Sequence, residues 1–127
     1  MRINESLRKR TKRYASRIIR FYVLLPHDRK EVEVLGHQLL RSGTSVAAQT
    51  REASRARSDA EFCSKLDLLL QEADESHLWL ELFEEDCGIT GENNEFLLTE
   101  TSELLAIFTT IVSKVLGRLT ERGFFSE

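Results

Sequence analysis

Apolar residues recur in this chain at alternating steps of four and three, and almost nothing interrupts them. Phe62, Leu66, Leu69, Ala73, Ser76, Leu80 and Phe83 keep that spacing, and Leu97, Thr101, Leu104, Phe108, Ile111 and Val115 repeat it. A line with this period stays on one face of an α-helix, as in packed bundles. Pro26 is the only proline among 127 residues, and no β-hairpin signal is present. The chain therefore reads as all-α: a single domain over residues 1–127 forming an elongated, antiparallel, up-down four-helix bundle.

Local signals set the expected limits at about 4–25, 28–56, 58–87 and 95–122. The first helix must stop before Pro26, because the residue preceding a proline disfavours helical geometry. Asp28 is the expected cap of the second. Ser58-Asp59-Ala60-Glu61 has the form of a capping box, with serine accepting from the backbone N–H of Glu61. Gly88 to Asn94 is the clearest loop. At about 1.5 Å per residue, helices two and three should each be on the order of 45 Å long.

The second helix carries Val32, Leu35, Leu39, Gly43, Val46, Thr50 and Ala53 on its inward line. Nothing from Ser42 to Ala48 is larger than valine, which marks a point of close helix approach. Gly43 falls inside the seam, where a glycine costs roughly 1 kcal/mol relative to alanine unless close packing compensates. Trp79, the only tryptophan, is the expected bulky partner. It shares a stripe with Glu72 and Glu75, which Arg41 or Arg51 would neutralise; an ion pair from Arg51 to Glu72 or Glu75 is expected to fix the register. The fourth helix has a second apolar line, Leu105, Val112, Leu116 and Leu119, wider than one seam needs. Another subunit would cover it, or it belongs to the broad buried face of an ordinary bundle helix.

Charge is segregated, although the net is only −3. Residues 1–30 carry ten Lys or Arg against Glu5 and Asp28, whereas residues 58–103 carry fourteen acids against Lys65. On the first helix Lys9, Arg13, Arg17 and Arg20 share one sector, and Tyr14, Ile18, Phe21 and Leu25 face inward. Such a stripe suits a phosphate backbone, with Arg55 and Arg57 as further candidates. Equally, it would pair with the acidic third helix or stand in solvent.

No catalytic constellation emerges. A carboxylate-bridged di-metal bundle needs two Glu-x-x-His motifs; Asp74-Glu75-Ser76-His77 is the one approximation. His27 and His37 read as isolated surface or cap residues, and Cys63 and Cys87 form no CxxC pair. Phosphate loops and nucleophile elbows are missing. The expectation is a protein that is not an enzyme, with no cofactor and no metal. No apolar segment of signal type follows Met1, and no uninterrupted run of about 18 apolar residues exists, so a cytoplasmic protein with no membrane partner is expected.

The run Arg41 to Ala53, followed by Ala56, Ser58, Phe62, Lys65-Leu66, Glu72-Ala73-Asp74-Glu75 and Trp79-Leu80-Glu81-Leu82, resembles the four-helix-bundle family of 23S rRNA intervening-sequence proteins. Leu97 to Glu100 and Glu103 to Phe108 extend the likeness into the fourth helix. The resemblance implies a bundle that assembles as a ring-like homopentamer. It also implies distant kinship to accessory proteins of diversity-generating retroelements, whose basic surfaces engage RNA and a reverse transcriptase.

Overall fold

A computed structural model describes residues 3–121 and 123, and every regular element among them is an α-helix. The helices are α1 (Glu5–Val23), α2 (Lys30–Ser54), α3 (Asp59–Asp86) and α4 (Glu92–Glu121). Arg122, the last residue of the expected fourth helix, lies outside the described residues.

Side-chain chemistry explains most of the ends. Asn4 Oδ1 accepts from the Leu7 N–H at 2.8 Å and caps α1. Ser58 Oγ accepts from Glu61 N at 3.0 Å, as the capping box predicted. Two ends differ from expectation. The α2 cap is Arg29, not Asp28, and it offers no side-chain bond. Its guanidinium instead donates to the Cys87 carbonyl at 2.9 Å, tying the α1–α2 turn to the end of α3. At α4, Glu92, Asn93 and Asn94 form the first helical turn rather than a loop. Asn94 is buried and donates to Glu84 Oε2 at 3.0 Å, so tertiary contact overrides its preference for irregular backbone.

α1 and α3 each pack against both α2 and α4, which puts the basic and acidic helices on a diagonal of the bundle. They meet only through the core, where Phe21 and Phe83 stack edge to face at 5.5 Å. The expectation that the basic stripe pairs with the acidic third helix is therefore corrected within one protomer: the charged partner of α1 is α4. Arg10 grips Glu100 with Nε at 2.9 Å and Nη2 at 2.6 Å, and reaches Glu103 at 3.3 Å. The paired carboxylates push the Arg10 pKa further up.

The inward lines predicted for all four helices supply the core, with Tyr14, Ile18, Leu39, Val46, Leu66, Leu80, Leu104 and Phe108 nearly sealed from solvent. One polar layer crosses it, and every helix contributes a hydroxyl. Tyr14 bonds Thr101 at 2.6 Å and Ser42 bonds Ser76 at 2.7 Å. Thr101 and Ser76 also donate to the carbonyls of Leu97 and Glu72, so their partners Tyr14 and Ser42 act as donors. Burial pushes the Tyr14 phenol up to about 12, with the Thr101 and Ser76 hydroxyls pulling the other way.

α4 differs from the other helices. By length and composition alone it is apolar enough to cross a membrane, and only 22% of its most apolar 18-residue stretch is buried in the bundle. Glu100, Glu103 and several Thr and Ser residues interrupt that stretch, which is why a search for an uninterrupted apolar run misses it. Its seam residues Leu97, Thr101, Leu104, Phe108 and Val115 are nevertheless packed inside, Ile111 is half-buried, and Leu119, expected on the second line, is buried with the seam.

Candidate functional site

The predicted basic stripe is divided between two hollows. Arg17 and Arg20 line one of about 280 Å³ with Phe21, Leu24 and Asn93. There the Arg17 guanidinium sits 4.1 Å above the Phe96 ring and reaches Asn93 Oδ1 at 3.5 Å. Lys9 belongs to the other hollow, and Arg13 stands exposed.

That second hollow is a groove between α1 and the C-terminal half of α2. Glu5, Arg8, Lys9, Lys12, Arg51, Ser54 and Arg55 line one lobe of about 350 Å³. The adjoining lobe shares Arg8, Lys12 and Arg51 and is floored by Ala47 and Ala48, with Glu52 at its edge. Arg55, one of the two further candidates, thus joins the groove. Arg57 does not: it is exposed and lies 3.8 Å from Glu61. The first-helix stripe omitted Arg8 and Lys12, because they turn toward α2 rather than along it. Their i,i+4 spacing, matched by Arg51 and Arg55, is the signal that pairs them.

The motif residues also separate. Arg41 Nη1 lies 3.1 Å from Glu72 Oε2 and Arg41 Nη2 3.1 Å from Glu75 Oε1. Arg51 makes neither contact, which corrects the expected Arg51 pair. Ser42–Ser76 and Glu52–Lys65, at 2.7 and 3.1 Å, set the antiparallel register of α2 and α3. Arg51 is consequently opposite the first turns of α3, far from Glu72, and turns to the groove.

Gly43 has a different neighbour from the one expected. A Cβ at this position would lie 2.8 Å from Ile18 Cγ1 and 2.9 Å from Cγ2, so the close approach is to α1. Trp79 packs against the core from the edge of α3 with its Nε1 buried and, among the described residues, without a hydrogen-bond partner.

The histidines are not all isolated. Glu33 accepts from Tyr22 at 2.8 Å, lies 2.8 Å from His37 Nε2 and bonds His27 Nδ1. His27 is raised by its hydrogen bond to Glu33, and Glu33 is lowered chiefly by His27. His77 bridges Glu81 and Ser102 at 3.2 Å each. Among the described residues no group of three or more His, Cys, Asp or Glu side chains is placed to hold a metal ion.

A family model described as 23S rRNA-intervening sequence protein matches residues 5–110. The chain belongs to that family. Among solved structures, this 23S rRNA-intervening sequence family member is similar to a Bacteroides thetaiotaomicron VPI-5482 protein, described as of unknown function and from the S23 ribosomal protein family. The two share 35% identity over 83% of this chain and 96% of the other, with a TM-score of 0.76. No curated protein matches the sequence. The family match runs from the start of α1 through α2, with its Arg41–Ala53 run, and α3 into α4 as far as residue 110.

Proposed function

We propose that this family member is a non-enzymatic interaction bundle that self-associates through α4. The observation that supports this most is the apolar stretch of α4, of which little is buried in one copy. From Leu104 to Thr120 only Lys114 and Arg118 are charged, and Leu116 is 38% exposed. Apolar surface of this kind is stabilised by covering it, and a second copy offers the same low-charge face. A homopentameric ring is the form the family resemblance favours. Leu116→Glu tests the contact: sedimentation equilibrium should show a lower mass than for the unaltered chain, with helicity by circular dichroism unchanged. An unchanged assembly would remove Leu116 and its face from the interface.

The arrangement of charge supports a second reading, an RNA-binding accessory protein that works with RNA or a reverse transcriptase. α1 holds its cations away from acidic α3, and no ion pair engages Arg13 or Arg20 among the described residues. Affinity of this origin falls steeply with salt, since it comes from counterion release. Protein purified at low salt should carry an elevated absorbance at 260 nm and lose RNA across a salt series. Clean protein and salt-insensitive binding would refute the reading.

A further inference from the structure

We propose that the groove between α1 and α2 is a binding site for a phosphate group, held by Arg8, Lys12 and Arg51 with Arg55 at the rim. Three independent observations converge on it.

The first is uncompensated charge. Both acids that line the groove are already engaged: Glu5 lies 3.3 Å from Lys9, and Glu52 lies 3.1 Å from Lys65, turned toward α3. Among the described residues no ion pair engages Arg8, Lys12, Arg51 or Arg55. Four like charges converging on one hollow repel one another, and an anion converts that repulsion into attraction.

The second is an orphaned donor. Arg8 Nε is buried and has no hydrogen-bond partner among the described residues. A guanidinium has donors only, so the missing partner must be an acceptor. A buried donor without one is costly, and a tetrahedral oxyanion supplies oxygens in the fork geometry that arginine favours.

The third is the floor. Core packing accounts for Gly43, which accommodates Ile18, but it does not account for Ala47 and Ala48, which are half-buried and exposed. In the groove they keep the surface flat between the cationic side chains. Their short methyls leave space for an oxyanion beside Arg8, Lys12 and Arg51. The small-residue run thus has one face for the core and one for the ligand.

The site rests on neither self-association nor the outer stripe of α1, so a monomeric chain leaves it intact. Phosphate chemistry is shared by inorganic phosphate, a nucleic-acid terminus and a nucleic-acid backbone. The test is a titration of the full chain with inorganic phosphate at constant ionic strength, following arginine Nε–Hε resonances by NMR. Saturable movement of the Arg8 resonance is expected, with affinity at least tenfold weaker in Lys12→Ala and Arg51→Ala; both residues are exposed, and circular dichroism checks that their folds persist. Competition by short oligoribonucleotides then names the source. Stronger competition by a 5′-phosphorylated oligomer than by its 5′-hydroxyl counterpart supports a terminal phosphate. Equal competition supports backbone phosphate, and no competition supports a small free phosphate compound. A response no larger than that to chloride, or wild-type affinity in both variants, overturns the proposal.

Discussion

Replacing Gly43 with alanine probes the close approach of α1 and α2 at Ile18. The added methyl would sit 2.8, 2.9 and 3.0 Å from Cγ1, Cγ2 and Cδ1 of Ile18, well inside the favourable carbon–carbon separation of about 3.5–4.0 Å. Ile18 is fully buried, and a β-branched side chain in a helix has one strongly preferred rotamer, so it cannot swing aside. Relief requires α1 and α2 to separate. Overpacking of this kind costs about 1–3 kcal/mol, and a site this tight belongs in the upper part of that range. Against it stands the helix-propensity gain of about 1 kcal/mol for Gly→Ala. The expected net loss is about 1–2 kcal/mol, read from urea unfolding followed by circular dichroism. In an Ile18→Ala background all three clashing atoms are gone and only propensity remains, so the same substitution should become stabilising by about 1 kcal/mol. That change of sign is the signature, with a coupling of about 2–3 kcal/mol between the two positions. Stabilisation of the parent chain, or equal effects in both backgrounds, would refute the contact.

Other substitutions separate the charged residues by role. Arg10→Ala should cost about 2 kcal/mol, because it strands Glu100, whose side chain is only 13% exposed, whereas Arg51→Ala should cost less than about 0.5 kcal/mol; equal losses would contradict the assigned partners. Tyr14→Phe should cost about 1 kcal/mol, since Thr101 keeps its own bond to the Leu97 carbonyl and one hydrogen bond is lost. The His27–Glu33 contact should make stability depend on pH at both ends. His27 is raised when folded, so its contribution is complete below the unfolded value near 6.5 and fades as pH rises through the folded one. Glu33 is lowered, so its contribution is present above the unfolded value near 4.5 and fades as pH falls through the folded one. His27→Gln should flatten the alkaline decline in a melting series, and an unaltered profile would exclude the pair as its source.

What the sequence discloses about this fold follows from where the determining forces act. Local signals act within a turn or two, so Pro26 and the Ser58 box place helix ends closely. The start of α4 was less legible because Asn93 and Asn94 favour loops in isolation; the contact of Asn94 with Glu84, made across the α3–α4 connection, decides otherwise. Inter-helix register is a tertiary property. The period of the inward lines marks Ser76 and Thr101 as seam positions but passes over buried Ser42 for its neighbour Gly43, and it does not reveal that these hydroxyls and that of Tyr14 form one layer. Without that register, Arg41 and Arg51 are equal candidates for Glu72, and the expected Arg51 lies nearly three turns of helix from Arg41, which makes the pair. Gly43 illustrates the same limit: its close approach was legible, but the neighbour was Ile18 and not Trp79. The groove was only half legible, since Lys9 and Arg55 stood in the sequence as separate candidates and only folding sets Arg8 and Lys12 beside Arg51.

Self-association through α4 is the central claim, and the mass of the unaltered chain in solution tests it most directly. Light scattering on a sizing column at micromolar concentration should give several times the 14.6 kDa of one chain, about fivefold for the ring form that the family resemblance favours. A mass of 14.6 kDa that persists as concentration is raised would contradict it.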